Sequence, residues 1–367
     1  MAPIIPKIPA IGVTGSAGKS TTTALIYYIF RTKWKHVLKT PGTKNLPKHT
    51  KENSEKIKPY HKAVILEMAA GHKHFRYIKP NFGVITNIGT AHYGRLGNSI
   101  KKTVRAKSGM IKYMNPNGTL LLNEDDKNSK LLSTKSFKGK LLTIGIKNRA
   151  DYQTENLQYS KQGMTFNVRL NGKLESFFLP TFGEHNVINA LFAIAIAHQL
   201  RFSPREIRTG LKKFKPRRRR LNVTSLPNRS LLLDDTFNAN PQAVKAATDV
   251  LVKLGEDKKK IAVIGSMLEL GKYSKRGHQE VGKYLAGKNM YRIFVYGKQA
   301  KEIKRGAINH GYPPENIFAY TSRKQLHKKL KSYLSSDTVF LIKGSSQMKM
   351  KETARFIKKY GLKAKKR

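Results

Sequence analysis

The chain has no cysteine among its 367 residues. Disulfides and thiolate metal centres are therefore excluded, and a reducing compartment suits such a sequence. Acidic residues are scarce: 22 Asp and Glu stand against 72 Lys and Arg, giving a formal charge of +50. A field of that size draws in anions, so nucleotides, acidic peptides, anionic polymers, nucleic acid and acidic membrane surfaces all fit as partners. No zinc-finger, RNA-recognition or other nucleic-acid motif accompanies the charge, and nucleic acid is not the expected partner. No apolar run approaches the ~20 residues that span a bilayer. The opening MAPIIPKIPAIGV is too short and proline-rich for a signal peptide. The expectation is a cytoplasmic protein whose membrane contact, if any, is peripheral. Internal repeats are absent, and the only low-complexity stretch is the lysine-rich tail ending KAKKR.

An apolar fraction of 39% with clear periodic segments indicates a globular chain of two or three domains. Apolar, β-rich runs recur between helical stretches at 11–14, 64–67, 84–87, 120–123 and 141–145. That alternation predicts a mostly parallel sheet covered on both faces. Residues 151–180 read instead as a small β-rich insertion, with short alternating segments about Asn171-Gly172 suggesting a hairpin. A strong helix follows in GEHNVINALFAIAIAHQL. A second, smaller α/β series has strands at 231–235, 261–265, 293–296 and 339–343. Between the two, KPRRRR has the composition of an exposed link. The domains are placed at 1–220 and 221–367.

The most informative stretch is GVTGSAGKSTTT at 12–23. It follows a β-branched run and precedes an apolar helical pattern, the context of a phosphate-binding loop. Gly15 and Gly18 let the backbone curl so that successive N–H groups of Gly15, Ser16, Ala17 and Gly18 turn toward one anion. The helix N-terminus adds partial positive charge. Lys19 reaches the terminal phosphates, and the Ser20 or Thr21 hydroxyl holds a magnesium ion. The generic loop has a further glycine where this chain has Val13. ATP is the expected ligand. Further along, AVILEMAAGH ends a strand with Glu67, either a ligand at the carboxyl edge of the sheet or an ordinary surface glutamate. VITNIGTAHYGRLG places Asn87, Thr90 and His92 at another strand end. Three polar strand ends are thus expected to converge on one loop.

Taken in order, TGSAGKSTTT, LEMAAG, TNIGTAHYGRLG and GEHNVINALFA resemble the ATP-dependent Mur ligase family. RLNV, LLLDDTFNANP, AVIGSMLELGKYSKRGHQEVG and LIKGSSQMKM resemble its UDP-N-acetylmuramoyl-tripeptide:D-alanyl-D-alanine branch. The resemblance runs from about residue 11 to about residue 355 and accounts for the missing upstream glycine. It implies a P-loop-containing α/β domain followed by a smaller Rossmann-like one. It also implies a ligase for peptidoglycan biosynthesis that activates a carboxylate as an acyl phosphate and joins it to an amine, an amino acid or dipeptide, with release of ADP and phosphate. On this resemblance Lys19 contacts the β- and γ-phosphates, Ser20 with Glu67 holds one magnesium, and His92 is a ligand of a second. Lys107 matches a lysine that is often carbamylated. Read from its own segment it is an exposed helix lysine, and Lys101 and Lys102 are the charges expected to lower its pKa. Asn186 and His185 match an adenine-contacting segment, although Asn186 also reads as a helix cap. Arg220 and Asp235 match residues that reach the nucleotide, with Arg220 ambiguous within a basic run that also reads as a solvated linker. Asn238, Asn240 and the Lys343-Gly344-Ser345 turn match the amine site, where Ser346 replaces a frequent arginine.

Members of this branch begin with a domain of roughly a hundred residues that grips the UDP-sugar. Here the phosphate loop starts near the N-terminus, so that domain is expected to be absent. The acceptor is then either a strongly anionic polymer or a wall precursor held by a separate subunit. The competing readings are a ligase for a cofactor or polyglutamate-type polymer, and a non-catalytic ATP-binding regulator or polyanion scaffold.

Overall fold

A computed structural model describes residues 3–42, 44–160, 162–226, 229–334 and 337–363. The basic tail at 364–367 lies outside the described residues. The chain forms two compact units, one of 1–89 with 99–215 and one of 90–98 with 216–367.

In the first unit, short apolar runs become fully buried strands: β1 (Ala10–Thr14) and β3 (Ala63–Glu67) have no exposed residue. Continuous burial is what a sheet covered on both faces demands. They join β2 (Val37–Lys39), β4 (Phe82–Ile85), β5 (Thr119–Asn123), β6 (Lys140–Gly145), β7 (Tyr152–Tyr159), β8 (Met164–Leu170) and β9 (Lys173–Leu179) in a nine-stranded sheet ordered β2-β3-β1-β4-β5-β6-β7-β8-β9. All pairings from β2 to β7 are parallel, and β7-β8-β9 are antiparallel. The expected hairpin is therefore present about Asn171-Gly172, and its strands extend the main sheet through β7. Because β1 lies between β3 and β4, the chain reverses its winding direction there, which opens a crevice at the β1 carboxyl end.

The helices of this unit are α1 (Lys19–Phe30), α2 (Pro47–Glu55), α3 (Ile100–Lys107), α4 (Gly109–Tyr113), α5 (Glu184–Gln199) and α6 (Pro204–Lys213). The core of α5 is buried from Asn186 to Ala197, which explains why its sequence is apolar on nearly every face. A capping box of Ser203 and Glu206 starts α6. Gly210 then lets α6 lie directly on α1, since a Cβ there would collide with the Ile29 backbone.

The second unit holds a six-stranded sheet ordered β10-β11-β15-β12-β13-β14. Its strands are β10 (Asn222–Ser225), β11 (Leu231–Asp235), β12 (Lys259–Gly265), β13 (Arg292–Tyr296), β14 (Ile317–Tyr320) and β15 (Thr338–Lys343). Among the described residues, only the β10–β11 pairing of this sheet is antiparallel. The helices are α7 (Pro241–Leu254), α8 (Ser274–Ala286), α9 (Ala300–Ile308), α10 (Arg323–Lys331) and α11 (Lys351–Lys363). The run Arg217–Arg220 is no free link. Leu221 N–H donates to Asp235 Oδ1 at 3.1 Å, Phe237 N–H donates to the Arg219 carbonyl at 3.0 Å, and Arg220 stacks 4.1 Å over the Phe237 ring. No helix among the described residues is long and apolar enough to cross a membrane.

The α1–α6 contact makes a direct test. Gly210→Ala should destabilise the protein by about 1–3 kcal/mol through forced separation of the two helices, measured as a lower urea midpoint with an unchanged slope.

Candidate active site

The phosphate loop joins β1 to α1, and its glycines are sterically required. Gly15 has φ 145° and Gly18 φ 83°. A side chain at Gly15 would strike Thr86, and one at Gly18 would strike Asn189. The loop is clamped from β4. Ser16 N–H donates to the Asn87 carbonyl at 3.0 Å, and Ala17 N–H donates to Asn87 Oδ1 at 2.9 Å. Thr86 Oγ1 donates to the Ala17 carbonyl at 2.6 Å. Two N–H groups expected to turn toward an anion are thus directed at Asn87. The α1 N-terminus remains as the positive end of the loop.

Two lysine amines converge on one acceptor. Lys19 Nζ donates to the Gly15 carbonyl at 2.7 Å, and Lys107 Nζ donates to the same oxygen at 3.0 Å. Lys107 is buried, with 4% of its surface exposed, so the exposed-helix reading is wrong. Burial first, and the Lys19 charge second, hold its amine well below the ordinary lysine range. Lys101 and Lys102 are exposed and contribute to neither cause. Burial thereby favours the neutral amine, the form of lysine that acts as a nucleophile.

Glu67 is buried at the end of β3. Its Oε1 accepts from Asn45 Nδ2 at 2.9 Å, while Oε2 has no hydrogen-bond partner. The Ser20 side chain is buried in the first turn of α1. No group of three or more His, Cys, Asp or Glu residues that could hold a metal occurs among the described residues. Magnesium does not need one, because it is commonly held by a single carboxylate, a hydroxyl and substrate phosphates. An unsatisfied carboxylate oxygen beside a phosphate loop fits that pattern.

Asn186 does not cap α5; the cap position is Gly183. Its amide donates to the Phe182 carbonyl at 2.8 Å and accepts from Asn189, which in turn accepts from Thr22 Oγ1 at 3.1 Å. This buried chain ties α5 to α1 behind the loop. His185 is exposed one residue earlier.

The remaining expected residues lie in the second unit, which includes the 90–98 loop. His92, at φ 58°, bonds through Nδ1 to Glu269 Oε2 at 2.5 Å, and Arg95 meets the other oxygen of Glu269 at 2.6 Å. Thr90 Oγ1 donates to Gln242 Oε1 at 2.9 Å. Of the polar strand ends expected to meet the loop, Glu67 and Asn87 sit in its unit, while Thr90 and His92 engage Gln242 and Glu269. Asp235 and Lys343 end adjacent parallel strands in register. Lys343 Nζ lies 2.5 Å from Asp235 Oδ2 and donates to the Asn238 carbonyl at 2.9 Å. Asn240 accepts from Ala243 N–H and caps α7, Asn238 Oδ1 accepts from Ala239 N–H, and Ser345 Oγ accepts from Leu268 N–H.

Asn45, Glu269 and His74 escaped the sequence reading. Asn45 lies in an unpatterned loop, and Glu269 gains meaning only once its partner at residue 92 is known. His74 is fully buried, with Nδ1 2.7 Å from Thr50 Oγ1.

Comparison with known proteins follows this geometry. The Mur ligase middle domain matches residues 13–197, and the Mur ligase, glutamate ligase domain matches residues 219–346. The chain belongs to the Mur ligase family. UDP-N-acetylmuramoyl-tripeptide–D-alanyl-D-alanine ligase of Bacillus subtilis strain 168 is 32% identical over 93% of this chain and 74% of its own length. The Haemophilus influenzae protein of the same name is 29% identical, covering 93% and 75%. Among solved structures, MurF from Acinetobacter baumannii superposes with a TM-score of 0.86 at 26% identity, over 95% of this chain and 76% of its own. MurF from Thermotoga maritima in complex with ADP shares the fold, with a TM-score of 0.83 at 23% identity over 97% and 81%. This Mur ligase is an ATP-dependent, amide-forming enzyme.

Two outcomes test the geometry. Lys343→Met leaves Asp235 without its buried cation and should cost about 3 kcal/mol. Pairing it with Asp235→Asn should recover part of that loss in a denaturation double-mutant cycle. Burial, then the Lys107 charge, lowers the His74 pKa from its ordinary 6.5 to about 4. His74 is then neutral when folded and takes up a proton on unfolding. Its contribution is complete above 6.5 and disappears as pH falls toward 4, a loss of roughly 3 kcal/mol. Denaturation at pH 7 and 4.5 should show a smaller drop for His74→Gln.

Proposed function

We propose that this chain joins the carboxylate of a UDP-N-acetylmuramoyl-tripeptide to the amine of D-alanyl-D-alanine, in cytoplasmic synthesis of a cell-wall precursor. The observation that carries this reading is the pairing of Lys19 and Lys107 on the Gly15 carbonyl, with Glu67 presenting an unsatisfied oxygen in the same unit. A scaffold that only bound nucleotide would have no use for a buried lysine amine held below its ordinary range there.

In the first step a carboxylate oxygen attacks the γ-phosphorus, and the bond to ADP breaks. The amine then attacks the acyl carbon, and phosphate leaves with the former carboxylate oxygen. Lys19 and the α1 N-terminus stabilise the negative charge that spreads over the transferring group. Glu67 and Ser20 would hold one magnesium and His92 a second, and Lys107 would carry a carbamate as an anionic support. Magnesium held there would supply positive charge against the phosphate oxygens. His185 and Asn186 bound the adenine end. On the family resemblance, Arg220 and Asp235 are assigned to the nucleotide, and Asn238, Asn240 and Lys343 to the amine. The +50 charge favours anionic acceptors generally, which makes a polyanionic acceptor the second reading.

Phosphate release should require ATP, magnesium, the UDP-muramoyl tripeptide and D-alanyl-D-alanine together, and Lys19→Ala should lower it at least about a hundredfold. Release with an acidic polymer in place of the tripeptide would favour the second reading. No release dependent on any acceptor and amine would refute both.

A further inference from the structure

The phosphate loop is held by residues 86–89. Thr86 and Asn87 make the contacts already described, and Gly89 N–H donates to Ser16 Oγ at 2.8 Å. The loop is therefore only as well placed as that segment. β4 ends at Ile85, and from Asn87 onward the chain has left the strand ladder. Its backbone groups then need partners of their own.

Those partners come from the end of β5 and the turn after it. Asn123 Nδ2 donates to the Thr86 carbonyl at 3.2 Å, and Asn128 Nδ2 donates to the Ile88 carbonyl at 2.9 Å. Ile88 N–H donates to Asp126 Oδ2 at 2.8 Å. Both main-chain groups of Ile88 are thus taken by side chains of one turn. Asp126 is itself fixed, because the same oxygen accepts from Ser129 N–H at 3.0 Å and from Ser129 Oγ at 2.6 Å. Three donors on one oxygen suit an ionised carboxylate, which only accepts.

We infer that Asp126 is a positioning residue of the ATP site, which acts through the Asn87–Ile88 peptide to hold the phosphate loop in its binding shape. The inference rests on the reading of residues 12–23 as that loop. The Asn87 carbonyl and the Ile88 N–H belong to one planar trans peptide unit, so they point in opposite directions. Asp126 draws the N–H to one side, and the carbonyl is thereby aimed at Ser16 N–H, which it meets at 3.0 Å. A carboxylate on the N–H also polarises the carbonyl beyond it, which strengthens the second bond. The same peptide orientation sets the start of Asn87, whose side chain receives Ala17 N–H at 2.9 Å. Asp126 thus reaches the nucleotide without touching it, by way of one peptide group.

The test measures ADP affinity by titration calorimetry on the whole protein with magnesium present, beside its urea midpoint. Asp126→Ala should weaken ADP about tenfold, the effect of losing one hydrogen bond to a charged acceptor. Asp126→Asn should regain most of that loss, since its amide oxygen still accepts from Ile88 N–H. A folded Asp126→Ala protein that loses stability but binds ADP as wild type does overturns the inference, because the carboxylate then serves the fold alone. If Asp126→Ala does not fold, Asn128→Ala takes its place: it frees the Ile88 carbonyl and should weaken ADP several-fold, and unchanged affinity overturns the inference instead. A wild-type protein that binds no ADP, or one that Lys19→Ala leaves equally able to bind it, removes the loop reading and the inference with it. The acceptor and the amine are judged separately, by phosphate release.

Discussion

The Gly15 carbonyl oxygen is the point on which the catalytic half of this protein turns. It accepts hydrogen bonds from Lys19 and Lys107 at once, and two cations cannot share one buried oxygen without cost. Lys19 begins α1 at the phosphate-binding loop. Lys107, enclosed at the end of α3, resolves the conflict by favouring its neutral form. The pairing exists only because Gly15 adopts a backbone conformation that turns its carbonyl inward, and because Thr86 and Asn87 hold the loop there. A side chain at residue 15 would displace Thr86, so the glycine, the clamp and the lysine chemistry are one constraint.

Much of this arrangement was legible in the sequence, for physical reasons. Buried parallel strands must be apolar throughout, so β1, β3 and β5 announce themselves. The phosphate loop does so because few residue types tolerate its backbone angles. What stayed hidden depended on distant partners. Lys107 looks like a surface lysine because its helix carries Lys101, Lys102 and Arg105 beside it, and burial is not written in its neighbours. Asn186 reads in sequence as either an adenine contact or a helix cap, yet its amide bonds belong to Phe182 and Asn189. The short edge strand β2 and the turn holding His74 lack periodicity altogether.

The excess of positive charge is accommodated in a particular way. With few carboxylates available, basic side chains of the second unit lean on aromatic faces. Arg219 lies over Phe237, Lys259 and Arg292 over Tyr291, and Lys329 over Phe318. Each such contact is weak at an exposed site, about 0.5–1 kcal/mol, but it leaves the charge uncancelled. Exposed ion pairs of similar strength would cancel it. The fold thus retains its attraction for anions without leaving every cation merely solvated.

The 90–98 loop shows that order along the chain and membership of a folded unit are different things. It is encoded between β4 and α3 of the first unit, yet it is grouped with the second, where His92 and Arg95 grip Glu269 and Thr90 meets Gln242. The polypeptide consequently passes between the units three times, at 89–90, 98–99 and 215–216. Neither unit is a contiguous cassette. Recombination at any single point in the gene would transplant a sheet while leaving part of its anchoring behind, so inheritance of the two units as a pair is built into the path of the chain.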